Sequence, residues 1–202
     1  MPLLKHNNQS ISNVTSFPLV PSGSLKLLAT ATASASASLS FDSTYINADY
    51  QIYKFEFINI HANTDDQTFE FNMSTDSGSN YNVTKTSTNF LAFHDEPNTT
   101  TALSYQAAQD LAQSTAFQRL AGAVGNGADE SISGSLSIFN PASTVFVKHF
   151  ISNFQKNTYH NYSFSDYVAG YGNTTSAVNA IQFKMISGNF DGTIKLYGLG
   201  AN

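Results

Sequence analysis

Between residues 50 and 60 the chain alternates with period two. Tyr53, Phe55 and Phe57 fall on one side and Lys54 and Glu56 on the other, which predicts a strand with one buried face. Phe69, Phe71 and Met73 alternate with Thr68, Glu70 and Asn72 in the same way, as a half-buried strand. It is bounded by the turn formers Asp65-Asp66 and Asp76-Ser77-Gly78-Ser79-Asn80. Tyr81, Val83 and Lys85 follow as the expected hairpin partner. Further on, Ile132, Leu136 and Ile138 interleave with Ser131, Ser133, Ser135 and Ser137, so the face opposite the core is wholly serine. Ile181, Phe183 and Met185 predict a late strand, Ser187-Gly188-Asn189 a turn, and Ile194 and Leu196 a final strand. Eight or more short strands at this spacing predict an all-β fold, an antiparallel β-sandwich or jelly roll.

Three stretches depart from that rhythm. Leu103, Ala107, Leu111, Phe117, Leu120 and Val124 stand near helical spacing and predict a short helix insertion over 103–124, weakened by Ser114-Thr115 and ended by the glycines from Gly122 to Gly127. Residues 144–154 and 159–168 carry aromatics at both parities, which predicts burial on both faces or contact with another subunit. Residues 1–30 contain Phe17-Pro18-Leu19-Val20-Pro21, where two prolines exclude a central strand. They are expected to form an extended N-terminal arm ahead of a β-sandwich domain over 31–202. Ala31 to Ser38, an Ala/Ser/Thr alternation, reads either as a flat strand or as a low-complexity linker.

Composition narrows the function. Charged residues make up 11% of the 202, against about 25% in an ordinary soluble domain, and Ser, Thr and Asn together make up roughly a third. A net charge of −5, nine scattered basic residues and a single arginine, Arg119, argue against a phosphate-backbone binder. No apolar run approaches the ~20 residues of a membrane span, and Met1 to Asn7 lacks the pattern of a secretory leader. The expected partners therefore include neither nucleic acid nor membrane. Without cysteine there is no disulfide, thiolate metal site or cysteine nucleophile.

Candidate chemistry is sparse. His6, His61, His94, His149 and His160 are far apart, and His94-Asp95-Glu96-Pro97 is the densest grouping a metal could use. Asp76-Ser77-Gly78 resembles the start of a calcium loop without its later ligands. Ser133-Gly134-Ser135 lacks the nucleophile context of a hydrolase, and Gly122–Gly127 lacks the lysine of a phosphate loop. Asn-x-Ser/Thr sequons at Asn8, Asn13, Asn72, Asn82, Asn98, Asn161 and Asn173 follow from composition. No catalytic residue, cofactor or metal is expected. Tyr159, Tyr162, Tyr167 and Tyr171 are candidates for stacking on a glycan.

Two motifs carry a family resemblance. Ala180 to Leu199, with Ser187-Gly188-Asn189-Phe190 followed by Gly192 and then Leu196-Tyr197-Gly198, resembles the closing hairpin of small virion structural proteins of tailed bacteriophages. Phe69 to Tyr81, ending in Asn80-Tyr81, resembles an earlier hairpin of the same family, here with a longer turn. The likeness spans about residues 39–200 and its motif residues are structural. Gly188 and Gly192 are expected at positive φ, Phe190 and Leu196 in the sandwich end, and Gly198 where the last strand approaches another backbone. The resemblance implies a non-enzymatic protein at the virion surface: a capsid decoration or cement protein, or a short appendage (tail fibre) subunit. It implies a homotrimer that meets other virion proteins through the arm. The alternative is a tail-associated module that recognises host surface glycans.

Overall fold

A computed structural model describes residues 25–158 and 161–201. Twelve strands run through them: β1 (Lys26–Ser36), β2 (Ser38–Phe41), β3 (Tyr50–Ala62), β4 (Gln67–Ser74), β5 (Lys85–Asp95), β6 (Thr101–Tyr105), β7 (Gln118–Val124), β8 (Ile132–Phe139), β9 (Lys148–Asn157), β10 (Tyr162–Gly172), β11 (Ala180–Met185) and β12 (Phe190–Ala201). They form an antiparallel β-sandwich. Eight strands make the large sheet, in the order β1-β12-β3-β8-β9-β10-β5-β6, and four make the small one, β2-β11-β4-β7. From β2 onward the chain crosses between sheets at nearly every connection. It remains in the large sheet only through β5–β6 and through the meander β8–β9–β10.

The period-two patterns explain the core. Tyr53, Phe55 and Phe57 of β3, Phe69 and Phe71 of β4, Phe150 and Phe154 of β9 and Phe183 of β11 are all essentially inaccessible to solvent. Phe183 sits at the centre, its ring 5.0 Å from those of both Phe55 and Phe57 and 6.1 Å from that of Phe69. Such aromatic pairs contribute about 0.5–1.5 kcal/mol each beyond the area they bury.

Four expectations change. The stretch 103–124 contains no helix: it is the end of β6, an irregular crossing and β7. Residues four apart share a face in a strand as well as in a helix, so Leu120 and Val124 fitted either period. β4 is buried on both faces, with Asn72 and Ser74 as enclosed as Phe69 and Phe71 and Glu70 nearly so; Asn72 Nδ2 donates to the carbonyls of Tyr81 (2.7 Å) and Thr115 (3.0 Å), which lie over it. Residues 81–84 form no strand beside β4 and touch its backbone through one bond, Val83 N–H to the Met73 carbonyl at 3.3 Å; the chain then leaves for the other sheet, where Lys85 opens β5. Likewise β11 and β12 are not a hairpin, since Ser187-Gly188-Asn189 carries the chain from the small sheet to the large one.

The Ala/Ser alternation is a strand, β1 continuing into β2. β1 pairs with β12 from Lys26↔Gly198 onward, so the sheet starts within the span 1–30 assigned to the arm. Residues 1–24 lie outside the described part of the chain.

Candidate interaction face

The outer face of the large sheet is built by cross-strand register, one row of side chains at a time. One row reads Lys195, Glu56, Ser135, Asn153, Tyr167, Phe90, Tyr105 across β12-β3-β8-β9-β10-β5-β6. A second reads Tyr197, Lys54, Ser137, Ile151, Ala169, Thr88, and on the other side of the first run Ser133, Gln155, Ser165, Ala92, Leu103. Beyond Lys54, Glu56 and Lys195 the strands themselves carry no outward charge; the carboxylates that border them stand on loops, Glu96 beside a polar concavity and Asp110 accepting from Tyr105 Oη. No Asp, Glu, Lys or Arg projects outward from β8, β9, β10, β5 or β6, because Lys85, Asp95, Lys148, Lys156 and Asp166 all point inward and are buried. The serine face of 131–137 lies at the middle of this surface, as its alternation requires.

A ridge crosses the neutral face. Phe90 and Tyr167 stack with centroids 5.0 Å apart and planes 7° from parallel, and Tyr105 continues the row. On one side lies a polar concavity of about 570 Å³ whose lining includes His94, Ser133, Gln155 and Ser163 together with the charged Asp95, Glu96 and Lys156. On the other lies a concavity of about 510 Å³ lined by Thr86, Thr88, His149, Ile151, Ala169 and Tyr171. Of the four candidate tyrosines, Tyr167 and Tyr171 stand on this face, Tyr162 sits on the opposite side of β10 against Phe93 and Phe164, and Tyr159 lies outside the described residues. The pattern did not single out Phe90, Tyr105 or Ile151 and assigned Leu103 to a helix; their signal was apolar side chains at the parity opposite the core.

The inward charges are bound into the interior. Lys156 Nζ meets Asp166 Oδ2 at 2.6 Å, both fully enclosed. Lys148 Nζ donates to the carbonyls of Phe146 (2.6 Å) and Thr174 (3.2 Å), and Lys85 Nζ to Asn72 Oδ1 (2.5 Å) and the Val83 carbonyl (2.8 Å). Burial drives the Lys85 ammonium down to about 7 against the partial opposition of Glu70. A lysine whose folded pKa lies below its unfolded one binds fewer protons in the folded chain, so stability should rise with pH from about 7 toward 10.5 and carry the full cost of charging Lys85 below 7. Melting temperatures from pH 6 to 9 should show this rise in the wild type and a flatter curve in Lys85→Met; parallel curves would refute it.

The motif residues do structural work. Asp76 accepts from Ser74 Oγ (2.6 Å), Asn80 N–H (2.9 Å) and Asn80 Nδ2 (2.7 Å); these hydrogen bonds, led by that from Ser74, hold its carboxyl down at about 2. The calcium-like Asp76-Ser77-Gly78 is thus a self-satisfied turn that positions Tyr81. Asp95 is used similarly, accepting from the N–H groups of Thr99 and Thr100 at 2.8 Å. His61 and His94 bond backbone carbonyls through Nδ1, and His6 and His160 lie outside the described residues. Among the described residues no three His, Cys, Asp or Glu side chains gather as a metal site would require. Asn72, one of the sequons, is buried.

Gly188 and Gly192 have φ of +74° and +131°, and Asn189 C=O accepts from Asn63 N–H at 3.0 Å. A Cβ on Gly188 would stand 2.8 Å from Thr64 Oγ1. Phe190 and Leu196 are fully buried. Gly198 lies in the ladder between Lys26 of β1 and Tyr53 of β3, and what fills the space a side chain would take is the Tyr50 ring, 2.5 Å from where its Cβ would be.

No protein-family model, curated protein or solved structure matches the chain.

Proposed function

We propose that the chain is a non-enzymatic structural component of a tailed-bacteriophage particle, exposed at the virion surface as a capsid decoration or cement protein or as a short appendage subunit, and that it works as a homotrimer. The observation that carries this reading is the neutral outer face of the large sheet. Hydroxyl and amide groups desolvate at far lower cost than charges, and the centres of protein interfaces are depleted of charged residues. A chain that turns five lysines and aspartates inward on these strands, and sets serine, threonine and asparagine outward, has a surface suited to close packing against copies of itself. The connectivity adds support by analogy. If the meander β8–β9–β10 counts as one elaborated strand and β1 and β12 as additions, the sheet orders become those of two interlocked Greek keys, a jelly roll, an architecture of viral capsid and lectin domains.

Asn153→Lys tests the face. A lysine at this exposed position costs a monomer within about 0.5 kcal/mol but places a charge at the centre of the proposed contact. The wild type should sediment as a trimer and the variant as a monomer with nearly the same melting temperature; an unchanged mass would sink the reading. Deletion of residues 1–24, which stops short of β1, should leave folding and trimer intact while abolishing incorporation into particles, with electron microscopy of labelled particles locating the protein.

A glycan-recognition role is the second reading, favoured by the two concavities flanking the Phe90–Tyr167 ridge. It predicts binding on glycan arrays or host cells that Tyr167→Ala weakens at least tenfold; absence of binding by the wild type would remove it.

A further inference from the structure

The large sheet ends at β6, and among the described residues nothing pairs with that edge. The register shows which backbone groups are free. Gln106 N–H donates to the Asn89 carbonyl at 2.8 Å and Asp95 N–H to the Thr100 carbonyl at 3.1 Å, so the even-numbered residues face β5. In an antiparallel ladder the alternate residues point the other way. The N–H and C=O groups of Thr101, Leu103 and Tyr105 therefore line the open edge. Their side chains stand on the neutral outer face, Leu103 73% and Tyr105 55% exposed.

Natural sheets blunt such edges with charge, proline, bulges or very short strands. β6 is short, at five residues, but it has no charge or proline, and its register with β5 is unbroken from His94↔Thr101 to Phe90↔Tyr105. The opposite edge, β1, is protected: it begins with Lys26, its pairing breaks at Leu27/Ala29 and Ala33/Ser36, and Ala35 has φ +46°. In the small sheet β2 is four residues long and β7 is bulged.

We propose that β6 pairs antiparallel with β6 of a second copy, with Leu103 opposite the partner's Leu103 and Thr101 opposite the partner's Tyr105. This two-fold register is set by the edge itself. It alone satisfies all three outward residues on both strands; a slip of two residues strands some of them, and a slip of one sets outward-bonding residues against inward-bonding ones. Self-pairing usually places like charges side by side, and Thr101–Tyr105 carries none. The row Tyr167–Phe90–Tyr105 would then continue onto the partner's Thr101, and the row Ala92–Leu103 onto the partner's Leu103. The contact goes beyond the trimer proposed above: its axis is two-fold, so it links one oligomer to the next. Five residues of pairing make a small interface of the weak, transient class, effective between copies already held close together.

The chain has no cysteine, so Leu103→Cys introduces its only thiol. Cα atoms of a hydrogen-bonded antiparallel pair lie about 5.5 Å apart, inside the range a disulfide spans. In the same register two Tyr105→Cys thiols would be separated by about four residues, ~13 Å. Under mild oxidation of the full chain, Leu103→Cys should form a disulfide-linked dimer about ten times faster than Tyr105→Cys. Leu103→Pro removes only an outward N–H and leaves the bonds to β5 in place; it should abolish concentration-dependent association of trimers in sedimentation while the melting temperature holds within a few degrees. Asn153→Lys addresses the other contact: in that background cross-linking slows as avidity is lost, but Leu103→Cys should keep its roughly tenfold lead over Tyr105→Cys, so the two proposals fail separately. Equal rates for the two cysteine variants, no cross-linked dimer from Leu103→Cys, or unchanged association in Leu103→Pro would each overturn the pairing, whether the edge is then covered by residues 1–24 or by another protein.

Discussion

Asp166→Asn should cost the fold about 3–5 kcal/mol, the usual penalty for removing one partner of a buried ion pair. The pair joins neighbouring strands: Lys156 of β9 and Asp166 of β10 meet at 2.6 Å with no solvent contact, and the ammonium lies 4.8 Å over the Phe164 ring. Burial is the largest influence on Lys156 and pulls its pKa down; Asp166 opposes that, while the nearby Arg119 pushes the same way as burial. Asparagine would leave Lys156 and Arg119 as like charges in the interior with their shared carboxylate gone. For a chain of this size the loss corresponds to a melting temperature lower by about 10 °C. Replacing both partners with apolar residues, Lys156→Met with Asp166→Leu, should recover most of it, because the desolvation cost goes as well. Chemical denaturation of the wild type, Lys156→Met, Asp166→Leu and the double variant completes a cycle that measures the coupling; a loss below about 1 kcal/mol in Asp166→Asn would show that water reaches the pair.

Phe183→Ala should be comparably severe. Phe183 touches the rings of Phe41, Phe55, Phe57, Phe69 and Phe71 at centroid distances of 5.0–6.3 Å, so it binds β11 to both sheets at once. Truncation leaves a void that five stiff aromatic neighbours can only partly fill, and Phe→Ala in such sites costs about 3–5 kcal/mol. Denaturant titration should show a lower midpoint with an unchanged slope. A cost under 1.5 kcal/mol would mean that the core collapses around the gap.

Much of this architecture was legible as alternation, and the limits of that signal explain the rest. Period two reports which side chains share a face, so β3, β8, β11 and β12 were readable from Phe55, Leu136, Phe183 and Leu196. It does not report which sheet a strand joins, which is why β4 and β11 were each given a hairpin partner when the chain in fact changes sheets after them. The buried lysines were overlooked because lysine is read as surface by default, although Lys148, Phe150, Ser152, Phe154 and Lys156 share one parity and the phenylalanines mark it as the core side. Of the tyrosines singled out, the outer face gathers Tyr167 and Tyr171; its ridge is completed by Phe90, a residue whose role only pairing with β10 reveals. Asn80, Gly188 and Gly192 were readable as turn chemistry because Asn and Gly have few other uses at such positions.

The position of β12 bears on how the chain comes to be folded at all. It lies between β1 and β3, and its pairing with β1 joins residues about 170 apart, Lys26 opposite Gly198. While the ribosome is making the intervening strands, the facing edges of β1 and β3 stay open, and no local contact can close them. Loop closure over such a span makes for a high contact order and slow folding. Nascent chains would expose Leu28, Ala31 and Phe55 for tens of seconds at ordinary elongation rates, which makes this a protein whose yield should depend on chaperones and on temperature during expression. The same late insertion ensures that the large sheet reaches its final width, and offers its outer face complete, only once β12 has been synthesised.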